Sequence, residues 1–113
     1  MKTINATELE YAGSFAVDSG QAMVGDPCYL GDWKNRIDGE PFDHENHIGE
    51  YSYLGACGTT IKNNFGVLGN DEAVVFSTGY GDGHYPVYVK MNEDGRVAMV
   101  VIDFDNELDE EQE

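Results

Sequence analysis

The chain has 113 residues, 41% of them hydrophobic, which is enough for one folded core without a metal or a disulfide to stabilise it. Its 22 Asp and Glu residues against 6 Lys and Arg give a formal net charge of −16. That balance argues against direct binding to nucleic-acid phosphates or to an anionic membrane, and it predicts a basic protein partner instead. We expect a soluble, cytoplasmic protein, because the N-terminus has no apolar run of signal-peptide length and no stretch approaches the roughly 20 apolar residues of a membrane span.

The first predicted elements are two short strands. Residues 14–17 and 21–24 are apolar runs, and residues 18–20 between them form a good tight-turn sequence, so a β-hairpin is expected. The second run ends at residues 25–27, since Pro27 cannot donate a hydrogen bond to a sheet.

The middle of the chain is less regular. Trp33 is the single tryptophan, and we expect it to anchor residues 28–33 on the core. Residues 34–50 are polar and acidic and form the longest predicted loop, a kind of segment that is often functional. In residues 51–61, a weak alternation of apolar and polar residues is followed by a run of small residues. This pattern predicts a bulged strand or a close approach of this backbone to another part of the chain. Cys28 and Cys57 are expected to stay reduced and to be buried as small hydrophobes.

The last third predicts a central strand and a hairpin. Turns at residues 63–66 and 68–71 precede an apolar strand at 72–77. Residues 85–91 alternate, a glycine-containing loop follows, and residues 96–104 return as a strand that is apolar on both faces and should be covered on both. The predicted fold is mostly β, a small twisted antiparallel sheet or β-sandwich with at most one short helix. We expect one domain over residues 1–104 and an acidic tail over residues 105–113.

The most specific sequence is residues 77–88, Ser-Thr-Gly-Tyr-Gly-Asp-Gly-His-Tyr-Pro-Val-Tyr. Together with Ser-Gly-Gln at 19–21, Gly-Asp-Pro-Cys-Tyr-Leu at 25–30 and Asp-Gly-Arg at 94–96, it resembles a family of small uncharacterised proteins of phages and bacteria. The resemblance covers about residues 14–104. It implies a compact β-rich fold and a phage or prophage origin, with the host cytoplasm as the location, and it implies no catalytic residues.

The residues suited to catalysis or metal binding have simpler structural explanations. Asp82 beside His84 could be an acid/base pair, but the glycines around them favour a turn. Cys28 lies in acidic surroundings, which disfavour a reactive thiolate. His44 and His47 are closer in sequence than the histidines of common zinc sites. We therefore assign no catalytic residue, no metal ligand and no cofactor, and we regard an enzymatic activity as less well supported than binding.

The favoured hypothesis is a non-enzymatic acidic protein that engages a host or partner macromolecule, as a phage-encoded inhibitor or a nucleic-acid mimic would. Its partner would meet carboxylates of the acidic loop, and binding would weaken steeply with salt. The predicted partner-binding residues are Asp38, Glu40, Asp43, Glu45 and Glu50.

Two alternatives stay open. A small enzyme or ligand-binding domain would gather polar and aromatic side chains in one pocket. The pocket candidates are Asp26, Cys28, Tyr29, Trp33, Tyr53, Asp82, His84 and Tyr85. A phage virion or structural accessory protein would instead assemble symmetrically, and the sequence does not fix the oligomeric state.

Overall fold

The computed structural model describes residues 5–35 and 41–108. In chain order these residues form strands and one α-helix: β1 (Leu9–Val17), β2 (Gln21–Gly25), α1 (Tyr53–Asn63), β3 (Phe65–Leu68), β4 (Ala73–Ser77), β5 (Gly83–Met91) and β6 (Val97–Ile102). Short 3-10 turns lie at Ala6–Glu8, Pro27–Asp32 and His44–Asn46. The predicted mostly-β fold with one short helix is confirmed. Within the described ranges, no helix has the length and apolar character needed to cross a membrane.

The contacts of the chain divide it into two compact units. The terminal unit consists of Met1–Asp18 and Gly79–Glu113, and the central unit is Ser19–Thr78. The terminal unit holds an antiparallel sheet in the order β1-β5-β6, and the central unit holds one in the order β2-β4-β3. That residues 1–104 constitute a single domain stays a prediction.

The predicted hairpin of the terminal unit is confirmed. β5 and β6 pair antiparallel, and the Asn92 side chain closes their loop by accepting hydrogen bonds from the backbone N–H groups of Asp94 and Arg96, both at 3.0 Å. Gly95 supplies the left-handed conformation that this loop needs, with φ of 76°. The expectation that both faces of β6 are covered is wrong, because β6 is an edge strand and its Val97 and Val100 are 55% and 57% exposed.

The hairpin predicted between residues 14–17 and 21–24 is wrong. The turn exists, and Gly20 adopts a φ of 68° within it. The two strands that it joins belong to different sheets, however, because β1 pairs with β5 and β2 pairs with β4. A turn sequence predicts a local change of chain direction, but it does not predict which strand each flanking strand pairs with.

The main difference from the sequence prediction is α1, which occupies most of the segment expected as a bulged strand. Ser52 caps its N-terminus by accepting a hydrogen bond from the Gly55 backbone N–H at 2.9 Å, and Asn64 ends it in the left-handed conformation with φ of 69°. The expected close backbone approach is present, since a Cβ atom on Gly55 would meet the carbonyl oxygen of Glu50. The turn predicted over residues 63–66 is limited to Asn64, because α1 ends at Asn63 and β3 starts at Phe65.

The core of the central unit lies between α1 and the sheet. It consists of the buried side chains Tyr51, Ala56, Leu68, Ala73 and Val75. Trp33 packs edge-on against Tyr51 with 5.0 Å between ring centroids, which confirms its expected anchoring role, and β4 is central in its sheet, as predicted.

The two cysteines are free thiols in different environments. Cys57 on α1 is buried, and its Sγ accepts a hydrogen bond from Nε2 of Gln21 on β2 at 3.2 Å. Cys28 is exposed on the 3-10 turn Pro27–Asp32, so the prediction of burial holds for Cys57 and is wrong for Cys28.

Candidate functional site: an acid-bordered cleft on the central sheet

One face of the central sheet is apolar and open to solvent. Val24, Val74 and Val67 lie directly opposite one another across β2, β4 and β3, and they are 57%, 47% and 49% exposed. Phe65, two residues before Val67 on the same face, is 67% exposed. Because side chains alternate along a strand, the residues between them face the other way, and Leu68, Ala73 and Val75 fill the core. We call Val24, Val67 and Val74 the valine row.

The strand register brings acidic residues to one end of this face. Gly25, the last residue of β2, lies opposite Ala73, the first residue of β4, and Leu68 at the end of β3 also lies opposite Ala73. Asp26 and the turn of residues 69–72 therefore meet at the same end of the sheet. The contact is close, since a Cβ atom on Gly25 would come within 2.8 Å of the Glu72 carbonyl oxygen.

A cleft of about 320 Å³ opens at this end of the sheet. Its floor is the valine row and its border is acidic. The residues that line it are Val24, Gly25, Asp26, Tyr29, Val67, Asp71, Glu72, Ala73 and Val74. A second, separate cleft of about 180 Å³ shares Gly25 and Asp26 with the first and is otherwise lined by Met23, Pro27, Leu30 and Tyr51.

The 3-10 turn Pro27–Asp32 fixes two of these residues. The Asp26 carboxylate accepts a hydrogen bond from the Cys28 backbone N–H at 2.9 Å, and the Asp26 carbonyl accepts one from the Tyr29 N–H at 3.0 Å. Trp33, at the end of the turn, is packed on the core. Asp26 and Tyr29 are thus held on an anchored turn while both side chains remain exposed.

Negative charge is concentrated around the cleft. Burial raises the pKa of the Tyr51 hydroxyl, and the charges of Glu72 and Asp32 raise the pKa further. Asp71 is exposed and adopts a left-handed φ of 61°, whereas Glu72 is half-buried. A carboxylate that is partly shielded from water interacts with a cation more strongly than a fully exposed one.

The predicted pocket residues divide between the two units. In the central unit, Asp26 and Tyr29 share the cleft, Cys28 is exposed on the same turn, and Trp33 belongs to the core packing. Tyr53 begins α1 and is exposed, with its ring centroid 6.4 Å from that of Phe42.

The remaining three pocket candidates lie in the terminal unit. Asp82 and His84 are exposed, whereas Tyr85 is buried and its hydroxyl donates a hydrogen bond to the Gly81 carbonyl at 2.8 Å. The preceding glycines adopt positive φ angles, 80° at Gly79 and 82° at Gly81. This geometry is that of a glycine-rich turn leading into β5.

The predicted partner-binding carboxylates have varied surroundings. Glu45 is exposed on the 3-10 turn His44–Asn46. Asp43 is half-buried, and both of its carboxylate oxygens accept hydrogen bonds from Asn46 Nδ2 at 2.9 Å. Glu50 lies 3.8 Å from the Lys34 ammonium. Asp38, Glu40 and residues 109–113 of the tail lie outside the described residues.

Sequence reasoning noted the oxygen-rich segment 70–72 as a weak cation binder, but it missed the valine row and did not place Asp71 and Glu72 in a site with Asp26. The available signal was an acidic turn between two short apolar strands, but residues 65–68 were not interpreted as a strand. Without β3, nothing in the sequence indicates that an acidic turn lies beside Asp26.

The arrangement of the cleft is suited to organic cations. Its carboxylates attract positive charge, and its valine floor offers contact to aliphatic groups. In residues 5–35 and 41–108, no group of three or more His, Cys, Asp and Glu side chains is arranged to hold a metal ion.

Comparison with known proteins identifies a family. No curated protein and no solved structure matches the chain. A family profile matches residues 2–102, a segment that runs through both sheets to the last residue of β6. This segment is well over half of the 113 residues, so the chain belongs to the family described as Protein of unknown function (DUF4241).

Proposed function

We propose that the protein is a non-enzymatic binding protein whose ligand is a basic surface of another protein. The observation that carries this proposal is the charge of the described residues, in which 16 Asp and Glu side chains stand against 4 Lys and Arg. Such an excess raises the rate of encounter with a basic partner and disfavours acidic partners.

The distribution of ion pairs supports the same proposal. Glu8 pairs with Lys90 at 3.1 Å and Glu50 with Lys34 at 3.8 Å, and four cations cannot neutralise sixteen carboxylates. Among the residues predicted to meet the partner, Glu45 is exposed and Glu50 is accessible enough to exchange its partner. A basic protein that docks here would release counterions, so its binding would depend strongly on salt.

The cellular setting is part of the proposal. The motifs that resemble those of small phage and bacterial proteins favour a phage or prophage origin, with action in the bacterial cytoplasm. In that setting, an acidic protein could occupy the nucleic-acid-binding groove of a basic host protein, because carboxylates can stand in for phosphates. Symmetric self-assembly of a virion component is the competing possibility, and the oligomeric state discriminates between them.

The test is affinity capture from a bacterial lysate at low and high salt, with mass spectrometry of the retained proteins. The bait is compared with the double variant E45Q/E50Q and with the matched control E93Q/D94N, which removes the same charge from the β5–β6 loop. We expect the bait to retain a basic protein at low salt and to lose it at high salt. Retention should fall with E45Q/E50Q and stay unchanged with E93Q/D94N. If the retained proteins equal those of a plain carboxylate resin, or both variants behave alike, the proposal is wrong.

A further inference from the structure

We propose that the outer face of the central sheet docks a basic amphipathic segment of a partner protein. The segment lays aliphatic side chains on the valine row and sets its ammonium or guanidinium groups against Asp26, Asp71 and Glu72. This inference rests on the proposed function; it adds a contact surface to the one around Glu45 and Glu50 and specifies the chemistry of the partner segment that meets it.

The first argument is the exposed apolar face. Valines on three paired strands and Phe65 beside them form a continuous surface, with each side chain about half exposed or more. Soluble proteins rarely leave such a surface uncovered, and contiguous apolar patches commonly mark interaction sites. A three-stranded face is wide enough to receive a helix or an extended segment.

The second argument is charge, which selects among the possible occupants. The apolar face ends at three carboxylates, and the whole chain carries a net charge of −16. A second copy of this chain would bring the same charge to the interface and be repelled. A segment that combines Lys or Arg with aliphatic residues complements both the valine row and its acidic border.

The third argument is the shape of the acidic end. The cleft of about 320 Å³ brings Asp26, Asp71 and Glu72 together with the three valines of the row. A lysine or arginine side chain has an aliphatic stem and a charged end, so it can contact the valines while its charge reaches a carboxylate. Tyr29 adds an aromatic ring at the border, and a cation can stack on it.

The test uses the full chain and defined peptides. The probe is a fluorescent peptide with alternating pairs of Lys and Leu, and its control has Ser in place of each Leu at the same charge. Binding is followed by anisotropy, and the contacted residues are mapped by backbone amide NMR. We expect the Lys/Leu peptide to bind more tightly and to shift the resonances of Val24, Val67 and Val74.

Matched variants locate the surface. V67T/V74T keeps the β-branched shape and replaces one methyl group per residue by a hydroxyl, so we expect affinity for the Lys/Leu peptide to fall about tenfold. V97T/V100T makes the same change on the similarly exposed β6 and should leave the affinity unchanged. D71N/E72Q should weaken binding of both peptides, and thermal unfolding of each variant shows whether it is folded.

The outcomes separate this inference from the proposed function. If the peptides bind with a strong salt dependence while V67T/V74T behaves like V97T/V100T, the binding function stands and the docking surface is wrong. If neither peptide binds, the docking surface is wrong, and the capture experiment with E45Q/E50Q decides the proposed function separately. If sedimentation shows a dimer that V67T/V74T dissociates, the face is an interface between two copies, and the partner proposed here is wrong.

Discussion

Glycine at two positions of α1 allows other parts of the backbone to lie against the helix. Gly55 lies under the Glu50 carbonyl and Gly58 under the His44 carbonyl, and a methyl group at either position would collide with backbone. Alanine ordinarily stabilises a helix interior relative to glycine by roughly 1 kcal/mol. Here the collision opposes that gain, and overpacking of a core costs about 1–3 kcal/mol.

We therefore predict that Gly55→Ala lowers the free energy of unfolding by about 2 kcal/mol, against the trend for glycine in helices. Chemical denaturation followed by circular dichroism measures this change. Gly31→Ala is the matched control, because a Cβ atom there would have nothing within 4 Å. A Gly55→Ala protein as stable as the control would contradict the close packing.

Tyr80 is exposed, and its phenol interacts with the Asp105 carboxylate. Hydrogen bonding to Asp105 raises the pKa of Tyr80 above its usual value of about 10, and the negative charge of Asp105, desolvation and the charge of Glu107 add to the effect. Since the folded pKa is the higher one, the stabilisation is complete below the unfolded pKa and is lost as the pH rises through the folded pKa.

We predict that Asp105→Asn lowers the pKa of Tyr80 toward its usual value, because the charge is removed. NMR titration of the tyrosine ring carbons gives the pKa of each tyrosine separately. Glu93→Gln removes a charge from the β5–β6 loop and serves as the control. A Tyr80 pKa that is the same in the Asp105→Asn and control proteins would show that the hydrogen bond is absent in solution.

Sequence patterns predicted the pairing of strands that are neighbours in the sequence. They failed for strands that are far apart in the sequence. The β5–β6 hairpin was predictable because alternation and a glycine-containing loop lie within twenty residues of each other. The pairing of β1 was not predictable, since Val17 pairs with Gly83 and the whole central unit lies between these two residues in the sequence. No turn sequence specifies such a contact, because its energy comes from side chains that meet only in the folded chain.

Helix α1 was missed for a similar reason. Gly55, Gly58 and Thr59 have weak helix propensity, and their burial rather than their propensity stabilises the helix. Ser52 three residues before Gly55 was a capping signal that could have been used. Of the cleft, Asp26 and Tyr29 were predicted, whereas Asp71 and Glu72 depend on the register of β3, which was taken for a turn.

The start of the acidic tail is tied to the end of the terminal sheet. Asp103 is buried, and its carboxylate accepts hydrogen bonds from the backbone N–H groups of Asp105 and Glu107, both at 3.2 Å, and of Leu108 at 2.9 Å. A carboxylate that is buried in this way and satisfies three backbone donors holds the chain in a fixed course after β6.

We predict that Asp103→Ala destabilises the protein by about 1.5–3 kcal/mol, because hydrogen bonds to a charged group are lost, and speeds hydrogen exchange at the amides of Glu107 and Leu108. Asp103→Asn keeps one acceptor oxygen, so its stability and its exchange rates should lie between those of Asp103→Ala and those of the unchanged protein. Hydrogen exchange by NMR measures the local effect, and denaturation measures the global one. Unchanged exchange at both amides in Asp103→Ala would show that these hydrogen bonds are absent in solution.

For the whole molecule, charge repulsion should outweigh charge pairing. The net charge of −16 opposes compaction, and the Lys90–Glu8 and Lys34–Glu50 pairs are partly exposed and contribute little. We predict that the melting temperature rises with NaCl concentration and levels off once the Debye length falls below about 8 Å. Scanning calorimetry measures the rise, with KCl as the control for specific ion binding. A melting temperature that falls with salt would mean that attractive pairs dominate.

The central unit leaves and rejoins the rest of the chain at adjacent points. Its first and last residues are Ser19 and Thr78, and the Thr78 N–H donates a hydrogen bond to the Gly20 carbonyl at 3.0 Å. A segment whose ends already touch can be grafted into a surface loop of an unrelated host without stretching either chain. We therefore expect that the sixty residues from Ser19 to Thr78 can be inserted in this way, and such a graft would carry the valine row and its acidic border to a new scaffold.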